Sequence, residues 1–262
     1  MLHLLKIEWL KVKNYRTFWV LLALFLISIY GINYIAYLIQ ENTYKKQPEL
    51  SMIIGNPPFQ FPDVWQTVSY MSSFLLFIPG LLMIIFFSNE FTFKTHRQNV
   101  IDGLSRTEFI VTKMLDVIIL ALGSTIAVLL TAFFYGLNET GSFSIEKFEN
   151  IGYFFIQALS YTSVALLFSV LFKRAAIAIG IFFLYVVVLE NMLAGLLNRY
   201  ANGIGHYLPL ESTDNLIPFP FLRKVVDQFS DRPDISFLLI ASAVYLCAYY
   251  FICKRKFETD DL

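Results

Sequence analysis

The sequence predicts an all-α integral membrane protein: six transmembrane helices, an N-terminal interfacial helix, and one short helix between spans two and three. Three observations predict it. Of 262 residues, 57% are hydrophobic and only 15% charged, whereas soluble domains run at about 45–50% apolar and about 25% charged. Six apolar stretches each reach the roughly 20 residues that carry a helix across a ~30 Å hydrocarbon layer. Lys and Arg are concentrated in alternate loops, as expected of a multi-pass protein. The same composition excludes other classes. Lys+Arg and Asp+Glu both number 20, so no basic excess points to nucleic acid. The aromatic content, 27 Phe and 15 Tyr against 12 Gly and 9 Pro, excludes disorder and collagen-like structure. Cys247 and Cys253 lie in one apolar stretch, too few for a disulfide scaffold and without metal-site spacing.

Taken in order, the spans are about 18–39, 70–88, 115–137, 151–172, 175–197 and 235–253. Each must be helical, because lipid offers no partner to an unpaired backbone group. The first exceeds the roughly 7–15 apolar residues of a signal peptide, and no small-residue cleavage site closes it, so it is a retained anchor. Only Lys173 and Arg174 separate the fourth from the fifth, which predicts a tight hairpin. With the N-terminus inside, the inner segments hold thirteen Lys and Arg and the outer loops seven, four of them in one long loop. That bias puts both termini in the cytoplasm.

The segments outside the membrane differ in character. Residues 1–16 set Leu2, Leu5, Trp9 and Val12 on one helical face, with Lys11 opposite and Lys6, Lys13 and Glu8 at the flanks. That spacing suits a helix lying in the interface with its lysines toward anionic lipid, or else a plain extension of the first span. Residues 17–262 form the six-span domain. The 40–69 loop, with Asn56-Pro57-Pro58 and Phe61-Pro62, is too proline-rich for one regular helix. The outer loop 198–234 contains an apolar run from Leu216 to Leu222 that dips into the interface or caps the bundle.

The loop 89–113 is the most informative. Gly103 can take the positive φ that ends a short helix over Thr95–Asp102. Ser105 followed by Glu108 is a capping box that starts a new helix at Arg106. The elbow leaves Arg97, Asp102 and Arg106 available to a partner, unless the segment is only a solvated loop.

This segment is similar to the first cytoplasmic loop of ABC type-2 permeases, the membrane subunits of ATP-driven exporters. The matching residues are Glu90, Thr95, Arg97, Gly103, Ser105, Arg106 and Lys113; Lys94 stands where the family often has Gly. The amphipathic N-terminus, the six spans and Leu208-Pro209-Leu210 in the last outer loop extend the likeness over essentially the whole chain. The resemblance implies that residues 95–102 form a coupling helix docked on a separate cytoplasmic ATPase subunit. Thr95, Arg97, Asp102, Gly103, Ser105 and Arg106 would make that contact. It also implies a second permease copy or a paralogue and a bacterial inner-membrane location, with ATP and Mg held by the partner subunit. The chain has no G-x-x-x-x-G-K-[ST] phosphate loop, and we expect no catalytic residue, cofactor or metal in it.

Pro79-Gly80 predicts a kink in span two, which is either a gate lever or a static packing feature. Glu190 lies inside span five, where a charge costs about 2.5–3.5 kcal/mol on insertion scales. It must face the bundle, a cavity or a partner, or be protonated; it is a path residue or part of a polar seam with Asn191 and Asn198. Glu90 and Asp116 sit near the boundary, where carboxylates are tolerated, and Glu90 gains weight from the resemblance alone. Pro79, Gly80, Glu90 and Glu190 are therefore the candidate gate or path residues. His3, His96 and His206 are too scattered for a metal site. The chain lacks the Gly-x-Ser-Gly and His-Glu-x-x-His motifs of intramembrane proteases. Six unrepeated spans with few buried charges give ion coupling little to act on. The expected function is a permease subunit of an exporter. The alternatives are a related complex that transmits force to an outer-side partner, and a free-standing carrier or channel.

Overall fold

The computed structural model describes residues 2–46, 57–95, 98, 101, 103, 105–140, 142–201, 203–221 and 233–259, and every regular element among them is helical. Helix α1 (Leu2–Lys13) leads through a short turn into α2 (Arg16–Lys46). Helices α3 (Val64–Ser73) and α4 (Phe77–Thr92) come next, then α5 (Arg106–Thr140) and α6 (Glu149–Phe172). A helix α7 (Ala175–Leu184) passes through a π-helical turn (Tyr185–Leu189) into α8 (Glu190–Tyr200). After a 3-10 turn (Ile204–Tyr207) and the short α9 (Glu211–Asp214), α10 (Ile235–Thr259) closes the described chain.

Five of these helices are long and apolar enough to cross a membrane, and α3 with α4, bent by 48° at the break between them, is either a sixth, broken span or a re-entrant pair. The protein is thus a membrane-embedded helical bundle. Helix α6 is its central strut, buried over most of its length, whereas the other four unbent spans turn most of their surface outward. It is also the least apolar of the five. Lipid tails are as apolar as leucine, so the interior helix gains nothing from hydrophobicity and instead packs closely through small residues. Ala158, Ser160, Ala165 and Ser169 are fully buried on it.

Span two departs from the predicted outline. Helices α2 and α3 each extend into the 40–69 region read as a loop. The break lies between Ser73 and Phe77, not at Pro79-Gly80. Pro79 occupies the first turn of α4, where a missing N–H is tolerated. Its absence is felt one turn earlier. The Leu75 carbonyl, which a residue at 79 would have capped, takes the Ile78 N–H at 3.0 Å instead. Leu75 and Leu76 likewise bond three residues back, to Ser72 and Ser73 at 3.0 Å each. This tightened turn bends the span. A Cβ on Gly80 would collide with Cζ of the buried Phe182 on α7. Gly80→Ala is therefore expected to destabilise the bundle by about 1–3 kcal/mol through overpacking, read as a lowered thermal midpoint in detergent; an unchanged midpoint would mean that the Phe182 ring moves aside freely.

The predicted hairpin between α6 and α7 is present, with Lys173 left-handed at φ 54° as the α6 C-cap. The long segment after α8 folds back over the bundle: Leu210, Leu216 and Ile217 are buried, and Gln66 Nε2 donates to the Pro218 carbonyl at 2.7 Å. It caps the helices, one of the two roles its apolar run predicts. Leu222 and Arg223 lie outside the described residues.

Candidate functional site

Two polar centres lie at opposite ends of the bundle. They are joined by α4, whose Phe77 and Glu90 stand about 20 Å apart at about 1.5 Å per residue.

The first forms where α1, α4 and α5 meet. Lys113, on α5, is 1% exposed. Its Nζ donates to Glu90 Oε1 at 2.5 Å and Glu8 Oε2 at 2.7 Å, with Asp116 Oδ2 at 3.4 Å. Lys11 closes the ring, donating to Glu8 Oε1 and Glu90 Oε1 at 2.8 Å each. Among the described residues, three carboxylates thus share two ammoniums. Burial raises the pKa of Glu8, but the charges of Lys113 and Lys11 outweigh it and hold the carboxyl below its usual range. Lys11, expected to face lipid headgroups, is a correction: the Glu90 carboxylate on α4 gives it a closer counter-ion. Trp9 and Leu10, by contrast, are exposed.

The elbow adjoins this cluster. Gly103 has φ 101°, the left-handed turn expected of it. The capping box is complete: the Ser105 N–H donates to Glu108 Oε2 at 2.9 Å and the Glu108 N–H to Ser105 Oγ at 3.1 Å. The Thr95 hydroxyl reaches the Glu90 carbonyl at 3.5 Å. Arg106 does not project freely; it donates to the Glu258 carbonyl at 2.7 Å near the end of α10, where orphan carbonyls attract cations. Arg97 and Asp102 lie outside the described residues, as does most of the helix expected over 95–102.

The second centre surrounds Glu190. The π-helical turn ends with the Glu190 N–H bonded to the Tyr185 carbonyl. The extra residue in that turn rotates α8 relative to α7, and Glu190 is 3% exposed. Its Oε1 accepts the Leu210 N–H at 2.5 Å and the Glu211 N–H at 3.1 Å, pinning the returning cap to the bundle. Asn191 is not part of a seam with it: the Asn191 side chain is exposed and bonds back to the Val186 carbonyl at 3.0 Å. Beyond Glu211, Asp214 accepts from Gln157 Nε2 at 2.7 Å and the Tyr161 hydroxyl at 3.0 Å, both on α6. Burial, with the nearby Glu211 charge adding to it, pushes the Asp214 carboxyl up to about 7 against those two hydrogen bonds. A cavity of about 840 Å³ opens beside it.

The family described as "Protein of unknown function (DUF2705)" matches residues 19–262, from within α2 to the last residue. The chain belongs to this family. No curated protein matches it.

In this DUF2705 chain the candidate residues fall into two groups. Glu90, Thr95, Gly103, Ser105 and Arg106 gather at the elbow end, while Glu190 belongs to the other centre, and Pro79-Gly80 begins the helix that joins them. Glu8, Lys11 and Asp116 went unrecognised as cluster members, although Lys113 and Asp116 three apart at the start of an apolar span were a visible signal. Gln157, an amide inside span four, was the corresponding signal for Asp214. Among the described residues no group of three or more His, Cys, Asp or Glu is placed to hold a metal. Ser105→Ala should fray the start of α5, speeding amide exchange at Glu108 by about fivefold; unchanged exchange would show that the cap does not hold the elbow.

Proposed function

We propose that the chain is the membrane-spanning permease subunit of a multi-subunit ABC exporter, with ATP hydrolysed by a separate cytoplasmic subunit. The observation that carries this reading is the elbow: a left-handed glycine and a closed capping box at the start of α5, the helix whose Lys113 enters an ionic cluster that ties α1, α4 and α5 together. A push on such an elbow is delivered to α4, whose far end walls the second centre. Helix α1 rests in the inner interface, with Trp9 and Leu10 toward lipid. In this reading residues 95–102 make the contact with the ATPase subunit. Both termini are cytoplasmic, in a bacterial inner membrane, and a second copy or a paralogue completes the path. ATP and Mg belong to the partner, and this chain supplies no catalytic residue.

The test is affinity purification of the tagged chain from its host in mild detergent, with mass spectrometry and an ATPase assay. A co-purifying ATPase that is lost in Arg97→Ala or Asp102→Ala supports the coupling helix. Its absence from otherwise intact complexes ends the ABC reading, and the buried carboxylates beside the cavity then favour a free-standing carrier or channel. An additional outer-side protein in the complex would instead favour force transmission.

A further inference from the structure

The cavity at the second centre lies between the broken span two, α6 and the cap. Its volume of about 840 Å³ falls within the ~300–1,000 Å³ of small-molecule sites. Among the described residues the lining has one sign of charge. Its described charged residues are Glu211, Asp214 and Asp234, with no Lys or Arg among them. Asp214 is held from behind by two neutral donors, Gln157 and Tyr161, and no ammonium or guanidinium of the described residues pairs with it. An independent observation points the same way. Gln157 is 2% exposed and lines the cavity, and its Oε1 has no hydrogen-bond partner among the described residues. A buried acceptor left unpaired is costly, about 1–3 kcal/mol, unless something donates to it. The lining is also aromatic: the Tyr70 ring meets Phe74 and Phe219 edge-on, each at 5.5 Å between centroids, and Phe77 lines the same cavity. Aromatic side chains lining a cavity offer their surface to an apolar body and attract a cation.

We propose that this cavity is a binding site for an organic cation: a protonated amine carrying an aromatic or branched apolar body, with Asp214 as its counter-ion. The ammonium sits against Asp214 and donates to Gln157 Oε1, while the apolar body lies on Tyr70, Phe74 and Phe219. A bare metal ion does not fit, because no described acidic or histidine cluster has metal-holding geometry. An anion does not fit the sign of the lining. The proposal stands apart from the ATPase, since it concerns equilibrium binding to this chain alone.

The experiment is calorimetric titration of the full chain in phosphatidylcholine nanodiscs with 4-phenylbutylammonium, and with 4-phenylbutanol as its neutral counterpart. Empty nanodiscs provide the partitioning baseline. The expected result is saturable binding of the ammonium, with the alcohol about tenfold weaker or more. Asp214→Asn should weaken the ammonium about tenfold while leaving the alcohol unchanged, which also shows that the variant is folded. The groups facing Asp214 are Glu211, Glu190, Tyr161 and Tyr70, with His206 and Asp234 on the same cavity. Ammonium affinity should rise from about pH 6 to about pH 8 as Asp214 ionises. Absence of saturable binding, equal affinity for alcohol and ammonium, or an Asp214→Asn variant that binds the ammonium as wild type would each overturn the proposal.

Discussion

Replacing Lys113 with Met is expected to destabilise the protein by about 3–5 kcal/mol, the range for removing one partner of a buried ion pair. Lys113 is 1% exposed and is the one residue bonded to all three carboxylates of its cluster. Without it, Lys11 still reaches Glu8 and Glu90, but Asp116 loses the ammonium that Lys113 supplies. The measurement is thermal unfolding in detergent, monitored by tryptophan fluorescence. Adding Glu90→Gln to Lys113→Met should recover part of the loss, a coupling that neighbouring groups show and distant ones do not. A loss below about 1 kcal/mol, the range of solvated surface pairs, would mean that water reaches the cluster. Acidity should act in the same direction. Glu8 is held below its ordinary value of 4.5, so its contribution is present above that value and is lost as pH falls through the lowered one.

Glu190→Ala should release the cap. Its carboxylate takes the Leu210 and Glu211 amides, and deleting it orphans one buried and one part-buried N–H. The cost is about 1–3 kcal/mol for each unsatisfied amide. The loss falls on the cap locally, because the spans keep their own backbone bonds. A cysteine placed at the fully buried Leu216 (Leu216→Cys), with exposed Cys247 replaced by serine, provides the readout. Maleimide labelling should accelerate about tenfold or more in the Glu190→Ala background, as expected for a segment whose local opening has become easier. Glu190→Gln keeps one acceptor and should fall between wild type and Ala. Equal labelling in all three backgrounds would show that the apolar contacts of Leu216 and Ile217 hold the cap without the carboxylate.

Much of this was legible because it is local. Ser105 and Glu108 are three residues apart, so their reciprocal capping can be read from spacing alone, and Gly103 is the residue for which a left-handed turn carries no side-chain strain. The hairpin at Lys173-Arg174 was legible from two polar residues between two apolar runs. The bend in span two was foreseen but misplaced. The missing N–H of Pro79 disturbs the carbonyl of the preceding turn, so the irregular bonds run from Ser72 to Ile78.

The sequence by itself determined the class of the protein, the left-handed turn at Gly103 with the capping box after it, and the presence of a carboxylate inside the fifth apolar stretch. These depend on hydrophobic length and on residues within a turn of one another, which the chain order records directly. Only the tertiary structure decided what the charges do. Glu8, Lys11, Glu90, Lys113 and Asp116 belong to three helices, and whether their side chains meet depends on rotational phase and crossing angle. The same holds for Gln157, Tyr161 and Asp214, and for Glu190, whose direction is set by a π-helical turn and whose partners lie 20 and 21 residues away. An ion pair requires a few ångströms of spatial proximity, and sequence distance carries no information about that once the chain has turned back across the membrane.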